Sequence, residues 1–167
     1  RGVFGAVLAT LLKAKVTSVR DAWTGGYATE LTTAGKGSKT YTTEHQGIDV
    51  IVNALVSGAE IIIATHLAKP LGIDKDGKPL PDLIESPRSD YSIDDILAEL
   101  AGIEGVYLGT RNGASGLPLA DAVADRNPSA DTSMRDVLAK AKVAVQAIPG
   151  PLRTAIVDRR DPVIAAH

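Results

Sequence analysis

His45, Asp49, Asn53, Ser57 and Glu60 are spaced four, four, four and three residues apart. At 100° per residue, that spacing puts all five polar side chains on one face of a helix. His45 and Asp49, at i and i+4, could offer two ligands to one metal ion from a single helical face. Glu60 cannot join them, because fifteen residues of helix place it roughly 22 Å further along the axis. Asn53, Ser57 and Glu60 instead form a hydrogen-bonding surface. Glu60 sits between Ala59 and Ile61, so its carboxylate is expected to be buried, and a buried carboxylate must be paired. Two readings follow: Glu60 anchors the Glu85–Ser92 loop or Arg88, or it faces a ligand or metal together with Asn53 and Ser57. The plainer account of the whole stripe is the solvated side of an otherwise apolar helix.

A second set of chemical groups lies in Glu85-Ser86-Pro87-Arg88-Ser89. A serine beside an acid needs a base, and no histidine is placed by sequence to serve Ser86, so a serine hydrolase is not supported. Glu85, Ser86 and Arg88 remain as ligand-binding candidates, with capping and tying of the loop as the structural reading. Two other motifs fail on inspection. GKGSKT lacks the G-x-x-x-x-G-K-[ST] order and follows no strand. Asp74 and Asp76 open like a calcium loop, but Lys78 and Pro79 stand where an oxygen ligand and the turn glycine belong. DKDGK reads as a reverse turn. No catalytic residue is identified.

These residues are carried by a helical scaffold. Thr43–Leu71 is the longest helical signal, opened by a Thr43/Gln46 capping box and closed by Pro70 and Gly72. Its apolar residues cover more than half the circumference, which predicts a central helix packed on several sides. A first helix is expected over residues 2–23, stopped by Gly25-Gly26, and a third from Ser92, capped with Asp95, to Gly109. Pro118 starts a short helix, Leu119–Asp125, and Pro128 a long one up to Pro149. A last short helix is read at Leu152–Asp158. The fold class is therefore all-α, four-helix-bundle-like, with a long ordered loop and short extra helices.

Bulk properties narrow the function. The 167 residues carry a net charge of −2 and 4% aromatics, which argues against a nucleic-acid partner. The absence of cysteine removes disulfides and thiolate ligands. Asp49, Asn53 and Glu60 interrupt the central helix, so no transmembrane segment is expected. The chain opens with Arg1 rather than Met, as a processed chain or a fragment would.

Several short motifs occur in order: AW at 22–23, N-x6-E at Asn53 and Glu60, KPLG at 69–72 and ES at 85–86. S-x-x-D-I at 92–96, Y-x-G at 107–109, PLADAV at 118–123 and AIPGPL at 147–152 follow. Together they resemble the C-terminal half of the imelysin-like family. The resemblance implies a bacterial cell-envelope protein, periplasmic or at the cell surface and in some members lipid-anchored, concerned with iron acquisition or regulation. It implies two related helical bundles around a cleft, so that 1–167 would be one bundle. Its partner would be the missing N-terminal half of its own protein, with self-association as the alternative. Iron or another divalent metal is the implied cofactor, and a metal-dependent peptidase is the alternative function. The family's G-x-H-x-x-E signature is absent: none of His45, His66 or His167 has Glu at that spacing.

Overall fold

The computed structural model describes residues 2–73, 75–111, 113–116 and 118–167. It is all-α apart from one minimal hairpin, and it falls into two compact units, the first ending at Ala54 and the second Leu55–His167.

In the first unit, α1 (Gly2–Ala22) runs into a π-helical turn, Trp23–Tyr27, broken at Gly26, and then into α2 (Ala28–Thr32). Val3, Phe4, Val7, Leu8, Leu11, Leu12, Val16 and Val19 form the expected stripe on α1, yet all are exposed. The turn after α2 is organised by Glu30, whose carboxylate accepts from Ser38 Oγ (2.6 Å) and from the backbone N–H groups of Lys39 (2.8 Å) and Thr40 (2.9 Å). Those donors, Ser38 foremost, hold the Glu30 carboxyl below its usual range. Next, α3 (Glu44–Glu60) opens with the predicted capping box: Gln46 N–H donates to Thr43 Oγ1 and Thr43 N–H to Gln46 Oε1, both at 3.3 Å. Gly47 is buried there, and a Cβ in its place would stand 2.8 Å from that of Ala34.

The second unit holds the core. The helical rod continues as a π-helical segment, Ile61–Ala68, in which Lys69 N–H bonds Ala64 C=O, and finishes in α4 (Lys69–Leu71). Gly72 terminates it in the left-handed region, φ 69°. A 3-10 turn (Pro81–Leu83) leads to α5 (Ser92–Leu108), whose Ile96, Leu100, Ile103 and Tyr107 are buried at the 4-3-4 spacing of one face. Then come β1 (Thr110–Arg111) and β2 (Ala114–Ser115), paired antiparallel, followed by α6 (Leu119–Arg126), α7 (Pro128–Gln146), α8 (Leu152–Asp158) and α9 (Arg160–Ala166). Asn127 caps α7 by accepting from Ala130 N–H (3.2 Å), with Pro128 at the first helical position. Leu67, Leu71, Ile96, Leu152, Ile156 and Val163 are almost fully buried, each stabilising the unit by roughly 1.5–3 kcal/mol relative to exposure.

Polar ties register the helices. Tyr107 Oη donates to Asp131 Oδ1 (2.9 Å), joining α5 to α7, and Lys142 Nζ meets Glu104 Oε1 at 2.6 Å. Arg160 donates to Leu71 C=O (2.7 Å) and Gly77 C=O (2.5 Å), holding the Gly72–Leu80 turn against α9.

The scaffold departs from sequence expectation at several places. The Thr43–Leu71 helix is not covered on all sides: Ile48, Val52, Val56, Ile61 and Ile63 are exposed, and burial concentrates at Ile62 and from His66 to Leu71. As a continuous rod, Glu44–Leu71 has 28 residues and is long and apolar enough to cross a membrane by length and composition. Asp49, Asn53 and Glu60 interrupt it without bringing its mean hydropathy below that test, which the core helix of a soluble protein also passes. The Thr110–Gly116 loop contains the β1–β2 pair. Finally, α9 lies beyond the last helix expected from the sequence; Pro162 stands in its first turn, where its missing N–H costs nothing.

Candidate functional site

The polar stripe of α3 does not gather into a metal centre. His45 Nδ1 lies 2.8 Å from Asp49 Oδ2, so the expected metal pair bonds to itself on an open surface, with side chains 85% and 53% exposed. Asn53, in the first unit, is exposed; so are Ser57 and Glu60 in the second. No hydrogen bond or ion pair among the described residues involves Glu60. The anchoring role proposed for it therefore falls, because its neighbour Ile61 is itself half exposed and the helix turns inward only at Ile62. Arg88 is likewise exposed.

The Glu85–Ser92 loop is tied elsewhere. Ser86 Oγ donates to Asp95 Oδ2 (2.6 Å), and Ser86 N–H donates to Ser92 Oγ (3.2 Å). Ser92 is buried inside the first turn of α5, not capping it, and Tyr91 takes the cap position without a side-chain bond. The expected Ser92/Asp95 cap is replaced by a clasp on Ser86.

That clasp delivers the neighbouring Glu85 to a group the sequence reading passed over. Glu85 Oε2 is 3.1 Å from His66 Nδ1, and Glu99 Oε1 is 3.3 Å from His66 Nε2. One donor atom from each of the three residues lies within 4.8 Å of the others. The π-helical segment presents the histidine, the loop presents one carboxylate and α5 the other. The His66 side chain is 9% exposed, whereas those of Glu85 and Glu99 are 48% and 38% exposed. Despite the short approach, His66 Nε2 has no hydrogen-bond partner among the described residues, and neither does the buried Glu99 Oε2. No local motif links residues separated by 19 and 33 positions. One signal was available: His66 lies four residues beyond Ile62, in phase with the buried face, and a buried imidazole calls for partners.

A groove beside α5, lined by Gly102, Gly105, Gly109 and Ser115, is made mostly of small residues, and Glu104 at its side is already paired with Lys142.

Comparison with known proteins identifies the family of the chain. The imelysin family's sequence model matches residues 3–163. The chain belongs to the imelysin family. It is also similar to the crystal structure of an imelysin peptidase from Bacteroides ovatus, with 27% sequence identity and a TM-score of 0.81. The match covers 95% of this chain but 46% of that one, so this chain spans about half the length of the imelysin peptidase it resembles. No match was found among curated proteins.

Proposed function

We propose that this chain is a binding unit of a bacterial cell-envelope imelysin protein that serves iron acquisition or its regulation. The observation that carries the reading is family membership over almost the whole chain. In this reading the remainder of a full-length protein supplies the opposing surface. The exposed apolar residues of α1 suit such a docking partner, or a second copy of the chain. Ser57, Glu60 and Arg88, exposed and uncommitted to hydrogen bonds among the described residues, are its ligand-facing side chains. Periplasmic or surface location, with or without a lipid anchor, belongs to the same proposal.

Calorimetric titration of the chain with ferrous iron, ferric iron and haem, beside Glu60→Ala, tests it. Saturable binding lost in the variant supports the reading. Binding by neither protein removes it. Stability provides the control, since an exposed side chain without partners changes it by no more than about 0.5 kcal/mol when truncated.

The second reading, a metal-dependent peptidase, is favoured by the description of the solved relative as a peptidase. It requires chelator-sensitive cleavage of an unfolded substrate by the full-length protein.

A further inference from the structure

We propose that His66, Glu85 and Glu99 form a binding site for one divalent transition cation of the zinc or ferrous type. The site uses none of the three side chains assigned to iron above, Ser57, Glu60 and Arg88, and its test variants are distinct from Glu60→Ala.

A neutral histidine has one N–H and one lone pair. With the proton on Nδ1, the lone pair is on Nε2, the nitrogen nearer Glu99; with the other tautomer it is on Nδ1, the nitrogen nearer Glu85. Either way, one carboxylate meets an acceptor at close range, at 3.3 Å or 3.1 Å. A positive charge between nitrogen and oxygen resolves that conflict. The unpartnered Nε2 on a side chain more than nine-tenths buried, and the unpartnered Oε2 of Glu99, mark where the charge belongs.

Distances favour a metal there. Zinc–nitrogen and zinc–oxygen bonds of about 2.0–2.2 Å set tetrahedral neighbours roughly 3.3 Å apart. The Nε2–Oε1 separation is 3.3 Å. An ion on Nε2 and Glu99 would leave Nδ1–H to Glu85, the carboxylate–histidine–metal relay that fixes an imidazole ligand. A small inward shift would instead add Glu85 as a third ligand, because all three donors already lie within 4.8 Å of one another. Water completes the coordination through the half-exposed carboxylates.

The donor set selects the ion. One imidazole with carboxylates suits zinc, ferrous iron, cobalt or manganese, whereas calcium and magnesium take oxygen ligands. His66 also sits in an eight-residue π-helical stretch, a rare conformation concentrated at functional sites. A bound ion would fasten three segments at one point: the end of the long helix, the loop at Glu85, and α5.

The test is a titration of tag-free full chain with zinc and with cobalt, followed by calorimetry and visible absorption, on wild type, His66→Gln and His45→Gln. The expected result is one saturable site, weakened at least about tenfold in His66→Gln and unchanged in His45→Gln. Cobalt should also broaden the His66 ring resonances selectively in the wild-type NMR spectrum, a readout that stands even if His66→Gln fails to fold. Absence of saturable binding would leave only a proton in that place and overturn the proposal. So would binding that survives His66→Gln, or broadening centred on His45 or His167.

Discussion

His66 Nε2 and Glu99 Oε1 stand 3.3 Å apart with no hydrogen bond between them. In the metal-free chain that contact contributes no hydrogen bond, and the other carboxylate oxygen, Oε2, is buried without a partner among the described residues. Glu99→Gln supplies an amide donor at the same volume. The expected outcome is a metal-free stability equal to wild type or higher by up to about 1.5 kcal/mol. Urea unfolding monitored by circular dichroism decides it, and a marked loss would mean that the carboxylate already has a partner.

Asp131 makes a prediction about acid. Arg135 Nε donates to both its oxygens (3.0 and 2.9 Å) and Tyr107 Oη to one (2.9 Å). Arg135 first, and Tyr107 second, hold the Asp131 carboxyl below its ordinary 3.8. A depressed folded-state value means the stabilisation is fully present above the ordinary value and is lost as pH falls through the depressed one. Arg135→Gln should lower stability at neutral pH, with the gap to wild type closing below pH 3.8 as both proteins protonate Asp131. Unfolding curves measured between pH 2 and 7 would show a constant gap if Arg135 acted through packing alone.

Two glycines should respond in opposite directions to the same substitution. At Gly72, with φ 69°, a Cβ would meet Lys78 O at 1.9 Å, so Gly72→Ala should cost well over about 2 kcal/mol or prevent folding of the second unit. At Gly102, inside α5, nothing lies within 4 Å of a Cβ. Gly102→Ala should therefore stabilise by about 0.5–1 kcal/mol. Thermal melts of the two variants beside wild type check both signs.

Much of the scaffold was legible because helices announce themselves locally. The Thr43/Gln46 box, the glycines at 72 and 109, and Pro128 after Asn127 each act within four residues, and each lies where the pattern put it. Burial was less legible. The apolar stripes of α1 and of the first turns of α3 are real, but periodicity says that a face is apolar and not what covers it. The candidate site was the least legible. The sequence pointed to His45 and Asp49, whose i, i+4 spacing makes a surface pair, and overlooked His66. Its carboxylate neighbours come from a loop and another helix, brought close only by the Ser86 clasp and the packing of α5.

The uneven distribution of buried residues bears on how the chain comes apart. The first unit buries little beyond Ala34 and Gly47, while the second buries a continuous set from Ile62 to Val163. Backbone hydrogen bonds in α1 and α2 are then protected mainly by local helix formation, whereas those in α5 and α7 open only when their unit unfolds. Melting is not one all-or-none event for such a chain. A single midpoint temperature is a property of residues 55–167, and the N-terminal helices can fray without registering in it.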